Sequence, residues 1–238
     1  MNMSPRFVFV SCTKRSRGSR GELLVAQSFD HCGFGAVAEL DIVWENFEGL
    51  PEIYNRKLFQ YAGSPVEYLI FLHDDVYIDD MKLPDKLFTA HERLGYDVVG
   101  VAGAVKVNVA YPSLWHLMSE APSRRGFVHH FTQDGKVHCT SFGPTPDRVA
   151  VVDGLFIAVH LPSVQSKGWK FNEEFMFHHY DLACSLDAVA LGLNVGVYPI
   201  HLIHESPGLN SLSDQSWVES DKRFLAKYAG RSRGIQSW

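Results

Sequence analysis

The tripeptide His73-Asp74-Asp75 follows directly on a continuous apolar run, EYLIFL. A short run without alternation is expected of a strand covered on both faces in a parallel sheet. Side chains alternate along a strand, so His73 and Asp75 would point to one side and Asp74 to the other. An imidazole and a carboxylate then converge at a strand end, the edge where open α/β sheets bind ligands. Such a pair can hold a divalent cation, and a cation there can neutralise the concentrated charge of a departing nucleoside diphosphate. The bland alternative is a polar strand end, because acidic pairs also mark ordinary turns.

His201 and His204 lie near the end of another apolar stretch, VGVYPIHLIH, ahead of Glu205-Ser206-Pro207-Gly208. Three residues apart, they cannot both face one way along a regular strand. Placement favours His204 as the one that reaches a metal. Imidazole with carboxylate suits manganese or another borderline ion better than calcium, with magnesium as the alternative. Asp181 opens the helical pattern HYDLACSLDAVALGL, where a carboxylate gains from the helix dipole. It is the candidate for a general base that removes a hydroxyl proton, and capping is the competing role. Asp153-Gly154 breaks the apolar stretch VAVVDGLFIAVH and would set a carboxylate and a tight backbone against a ligand, a bulge being the alternative.

These residues need elements to position them, and the chain reads as alternating strands and helices. Residues 6–12 form a first strand whose polar end, Ser11 and Thr13, would face a ligand. A basic loop with Lys14, Arg15, Arg17 and Arg20 follows, either a solvated turn or a diphosphate contact. Further elements are a helix over 22–32, a strand over 37–44 and a helix opened by Pro51. After the EYLIFL strand come a helix over 84–94 and the strand DVVGVAGA. Residues 106–148 show little periodicity, and a stretch this long without elements is usually functional or mobile. A final amphipathic helix falls near 216–228.

At 238 residues and 46% hydrophobic, the chain suits one α/β domain over 1–238. Its net charge of -5 supplies no field for nucleic acid, which is excluded as a partner. The four cysteines, Cys12, Cys32, Cys139 and Cys184, lie far apart, as expected of reduced thiols in a cytosol. No apolar run is long enough for a signal segment or a membrane span. Gly33-Phe34-Gly35-Ala36-Val37-Ala38 satisfies G-x-G-x-x-A, but it follows a helix and opens a strand. A pyrophosphate would lack the helix N-terminus that the dinucleotide fingerprint needs, so that reading is rejected.

Taken in order, FVFVSCT, ENFEGLPEIYN, EYLIFLHDDVYI, VVDGLFIAV, FMFHHYDLACSLDAVALG and HLIHESPG resemble the GT-A glycosyltransferases. In particular they resemble the glycosyltransferase family 2-like group that carries H-x-D in place of D-x-D. The resemblance implies a GT-A α/β fold with a mainly parallel central sheet flanked by helices. Residues 1–105 would be its nucleotide-binding half and 106–238 its acceptor-binding and catalytic half. It also implies that Asp75 and His73 take the two metal-binding positions, that Asp74 fills the middle one, and that His204 is the late metal ligand. Asn46 and Asn55 would lie near the nucleotide base, Asp153 would line the donor and acceptor site, and Asp181 would be the base of an inverting enzyme. Tyr180 and Ala183 depart from the family's pattern, which often has acids there.

The resemblance implies transfer from a nucleotide-sugar, a UDP-sugar first, to a glycan or glycolipid acceptor with Mn2+ or Mg2+ as cofactor. Two other readings compete. A phosphohydrolase could recruit His178, His179 and His201 to a two-metal site, and a non-catalytic nucleotide-binding module could keep the fold without the base. A cytoplasmic location is expected. Peripheral membrane contact stays open, with Trp217 and Trp238 as aromatic candidates.

Overall fold

The computed structural model describes residues 6–108, 111, 114–132, 134–205 and 214–229. Ser206 to Gly208 and Trp238 lie outside them. The first half runs β1 (Phe7–Cys12), α1 (Leu24–His31), β2 (Ala38–Val43), α2 (Leu50–Gln60), β3 (Tyr68–His73), β4 (Val76–Ile78), α3 (Leu83–Leu94), β5 (Val98–Gly100) and β6 (Ala102–Ala104). A short helix, α4 (Trp115–Met118), leads into β7 (Arg124–Phe131), β8 (Val137–Gly143), β9 (Asp147–Arg148) and β10 (Val151–Val152). The chain ends with β11 (Phe156–His160), α5 (Leu161–Ser166), α6 (Tyr180–Ala190), β12 (Val195–Val197), β13 (Leu202–His204) and α7 (Gln215–Tyr228).

Two sheets share one hydrophobic core. The larger has the order β2-β1-β3-β11-β5-β12-β9. Strands β2, β1, β3, β5 and β12 run one way, and β11 and β9 run against them. The expected α/β fold is therefore observed, with its mainly parallel sheet interrupted by β11. Strands β1 and β3 are buried along all but their last residue, which explains their unbroken apolar sequences. Helix α2, with Pro51 in its first turn, turns Ile53, Tyr54 and Leu58 into the core, the two aliphatic side chains each worth about 1.5–3 kcal/mol on burial. The smaller sheet has the order β10-β6-β7-β13-β4, with β8 paired to β7.

Three stretches expected as one strand each cross from one sheet to the other. DVVGVAGA divides into β5 and β6, VAVVDGLFIAVH into β10 and β11 at Asp153-Gly154, and VGVYPIHLIH into β12 and β13. The change from β3 to β4 crosses the same seam at Asp74-Asp75. Strands buried at both ends read as continuous apolar runs, so periodicity does not mark where they change partners.

The weakly periodic region 106–148 is a correction to the reading, because it contains the long antiparallel pair β7–β8. Val128 is the one deeply buried large apolar residue of β7, and β8 is largely exposed, so no apolar alternation is required there. The basic loop forms a short 3-10 turn over Arg17–Glu22. Arg15 pairs with Glu22, and Arg20 makes a two-pronged contact with Asp30 at 2.7 and 2.9 Å. Gly33 closes α1 in a left-handed conformation (φ 67°) and leads through a 3-10 turn into β2, the order that rules out a dinucleotide fingerprint. All four cysteines are free.

Candidate active site

The seam between the sheets gathers the residues singled out by type and spacing. His73 ends β3, and Asp75 precedes β4 by one residue. Antiparallel pairing sets His204 of β13 opposite Val76, and Glu205 N–H donates to the Asp75 carbonyl at 3.0 Å. One donor atom each from His73, Asp75 and His204 lies within 4.8 Å of the others. His204 Nε2 is 3.3 Å from Asp75 Oδ1, but that oxygen is buried and has no hydrogen-bond partner in the protein. A buried acceptor left unpaired beside two imidazoles is what a divalent cation would satisfy, and the donor set suits a borderline transition ion.

Tyr180 settles the tautomer of His73. Its hydroxyl donates to the Gly154 carbonyl at 2.7 Å and lies 3.3 Å from His73 Nε2. A phenol has one hydrogen, so its oxygen accepts from His73 Nε2–H, which leaves the lone pair on Nδ1. An outer partner of this kind orients a metal-binding imidazole. Burial lowers the pKa of His73 despite the opposing charge of Asp75. Burial would also lower His204, yet its contact with Asp75 outweighs that and raises it. For Asp75 burial acts upward and the two histidines win, holding the carboxylate ionised.

Asp181 stands in the first turn of α6, and its Oδ2 accepts the Gly154 N–H at 3.0 Å. Protein atoms surround it densely, though one face stays open to a cleft lined by His73, Asp153, Phe177, Tyr180 and Trp217. Burial, then the charge of Asp153, pushes its pKa up to about 7. Gly154 is gripped from both sides. A Cβ there would lie 2.7 Å from Tyr180 Oη and 3.1 Å from Asp181 Cβ. Asp153 itself receives the Leu155 N–H at 3.1 Å, which turns the chain between β10 and β11.

The other expected residues are placed differently. Ser11 lies one residue inside the strand end, between Ile42 and Leu72, with no exposed surface for a ligand and no partner for its hydroxyl. Thr13 is also buried, and its hydroxyl accepts the Arg15 N–H at 3.2 Å. Asn46 folds into a local turn with Glu48, its backbone N–H held by the Thr13 carbonyl at 2.8 Å. The Asn55 amide is engaged by Phe171 and Glu173, bridging α2 to the segment before α6. Asp74 is half-buried and accepts the Val25 N–H through its carbonyl at 3.4 Å.

Of the histidines that a two-metal site would need, His179 faces α7, where Nδ1 is 2.8 Å from Ser220 Oγ. His201 lies against Phe127 and His129 on the opposite side from His204. Neither joins the metal-capable group. Trp217 packs on His179 and lines the cleft. Residue types alone missed Tyr180, and also Phe177, whose ring stacks on His73 at 5.8 Å between centroids. His130, paired with His204 across β7 and β13, was missed too. The signal for Tyr180 was its place immediately before Asp181.

A family model described as "Glycosyltransferase like family" matches residues 37–233, most of the chain, including His73, Asp75, Asp153, Asp181 and His204. The chain belongs to this glycosyltransferase-like family. The protein is an enzyme, and the phosphohydrolase and non-catalytic readings are set aside. No match was found among curated proteins. Among solved structures, residues 1–349 of TarS from S. aureus in complex with UDP are similar at TM-score 0.49 and 13% identity, over 93% of this chain and 72% of that one. A197 from STIV is similar at TM-score 0.45 and 14% identity, over 84% and 86%. Among the described residues no helix is long and apolar enough to cross a membrane.

Proposed function

We propose that this glycosyltransferase moves a sugar from a nucleotide-sugar to a hydroxyl of a glycan or glycolipid, with inversion and with a divalent cation as cofactor. The observation that carries the proposal is the meeting, at one seam, of a half-buried His-Asp-His donor set and a carboxylate raised to about 7. His73, Asp75 and His204 would hold the ion, the H-x-D pattern standing where relatives use two aspartates. When bound, a cation there supplies a Lewis acid that takes up charge on the departing diphosphate.

Asp181 is the base. Its pKa near neutrality leaves a working fraction ionised and a strong drive to accept a proton. The acceptor hydroxyl gives its proton to Asp181 as its oxygen bonds the sugar carbon, and the bond from that carbon to the diphosphate breaks on the opposite face. The charge of Asp153 acts on both His73 and Asp181 and keeps Asp181 basic. Manganese is the first ion to try, magnesium the second, and uridine diphosphate the first carrier. Residues 1–105 would hold the nucleotide and 106–238 the acceptor within one domain, working in the cytoplasm or against a membrane surface.

The test is calorimetric titration of UDP and UDP-sugars, with and without Mn2+, on the wild type, Asp75→Ala and Asp181→Asn. The proposal expects metal-dependent binding that Asp75→Ala loses and Asp181→Asn keeps, with transfer lost in both. Metal-independent binding, or transfer surviving in Asp181→Asn, would overturn the assignments.

A further inference from the structure

A second set of metal-capable side chains lies at the other end of the large sheet. His91 is in the last turn of α3, Asp97 immediately precedes β5, and His160 joins β11 to α5. One donor atom from each lies within 4.8 Å of the others. His160 pairs with Tyr68, at the start of the strand that His73 ends, so the two groups are separated by roughly 17 Å of strand. Nothing in the proposed transfer reaction uses this cluster.

Each of the three side chains has one polar atom held by a neighbour, and His91 Nδ1 also lies 3.8 Å from Asp97 Oδ1. His91 Nδ1 lies 3.1 Å from the Tyr96 carbonyl, an acceptor only, so Nδ1 carries the hydrogen and Nε2 the lone pair. His160 Nδ1 lies 2.8 Å from Ser163 Oγ. Asp97 Oδ2 accepts the Asn194 N–H at 2.9 Å, which leaves Oδ1. For Asp97 and His160 the second polar atom is fixed as in metal-binding carboxylates and imidazoles, where it sets the orientation of the first. The backbone fixes the cluster as well. His160 N–H donates to the Asp97 carbonyl at 2.9 Å, and Tyr96 N–H donates to the Ala90 carbonyl at 3.1 Å.

We infer that His91, Asp97 and His160 form a binding site for zinc or a similar borderline divalent ion, distinct from the proposed catalytic centre, with water as the remaining ligand. Two imidazoles and one carboxylate are a common zinc donor set. The two rings stack at 3.8 Å between centroids and 25° between planes. A shared ion must lie near both ring planes, so binding opens the stack by rotation of His91 about χ2, which exchanges its contact with the Tyr96 carbonyl for the ion. His91, with a side chain 27% exposed, has room to turn. The ion would clamp the end of α3 to β5 and to the β11–α5 junction, adding to the core packing and strand pairing that already join them.

The experiment is zinc titration of the metal-stripped full chain, followed by calorimetry and thermal melting, on the wild type, Asp75→Ala, His91→Gln and Asp97→Asn. His91→Gln and Asp97→Asn should each bind one equivalent fewer than the wild type and lose most of the zinc-induced rise in Tm. Asp75→Ala should keep this equivalent whether or not the catalytic centre takes zinc, so the two proposals fail separately. Equal stoichiometry in wild type and both variants, with circular dichroism showing all folded, overturns the site. Should the variants misfold, cobalt decides. Asp75→Ala loaded with Co2+ should show the visible bands of a four-coordinate ion, and their absence overturns the proposal.

Discussion

The hydroxyl of Tyr180 lies 2.7 Å from the Gly154 carbonyl and 3.3 Å from His73 Nε2, joining the start of α6 to the end of β3. Replacing it with phenylalanine leaves a buried carbonyl and an imidazole N–H without their partner. Tyr180→Phe should lose about 1–3 kcal/mol of stability and weaken Mn2+ binding about 10–100-fold through the misoriented His73. Calorimetry with Mn2+, beside thermal melting, reads both effects. Unchanged metal affinity would separate Tyr180 from the donor set.

Asp181 exchanges stability for its basicity. Its folded pKa of about 7 lies above the unfolded value of about 3.9. The native state therefore holds the proton more tightly, and that advantage is complete below about pH 4 and lost as pH rises through 7. An uncharged amide escapes the loss and can still accept the Gly154 N–H. Asp181→Asn should be more stable than the wild type at pH 8, on the order of a few kcal/mol, with the difference shrinking toward pH 4. Melting curves across this range, set beside the loss of transfer, check the prediction. A variant less stable at pH 8 would show that Asp181 is not held against ionisation.

Asp153 is the second cause of the raised pKa, after burial. Removing its charge should bring the Asp181 pKa down. In Asp153→Asn the acid limb of the kcat/KM profile should therefore move below pH 7, whatever happens to the maximal rate. Were the limb to stay in place, burial alone would account for the shift.

Asn55 offers a contrast, because its amide is spent on Phe171 and Glu173. Asn55→Ala should lower stability by about 1–3 kcal/mol by unpairing the buried Phe171 backbone N–H and carbonyl. Nucleotide affinity should change less than twofold. A large loss of affinity at unchanged Tm would restore Asn55 to the nucleotide.

Residue types and local pattern were enough to place the α/β alternation, the span of β1, the start of α2, and the candidates His73, Asp75, Asp153, Asp181 and His204. Each of these depends on chemistry carried by the residue itself or on a periodicity within a few neighbours. Three things depended on partners distant in the chain and were settled only by the tertiary structure. Apolar runs look alike whether or not they change sheets, so the seam that brings Asp153 to Asp181 was invisible. His204 reaches Asp75 through the register of β4 on β13, and a register is a property of two strands together. The surroundings of Tyr180, Ser11 and Asn55 turned on which buried polar atoms find partners, an accounting that can be completed only once the chain has folded.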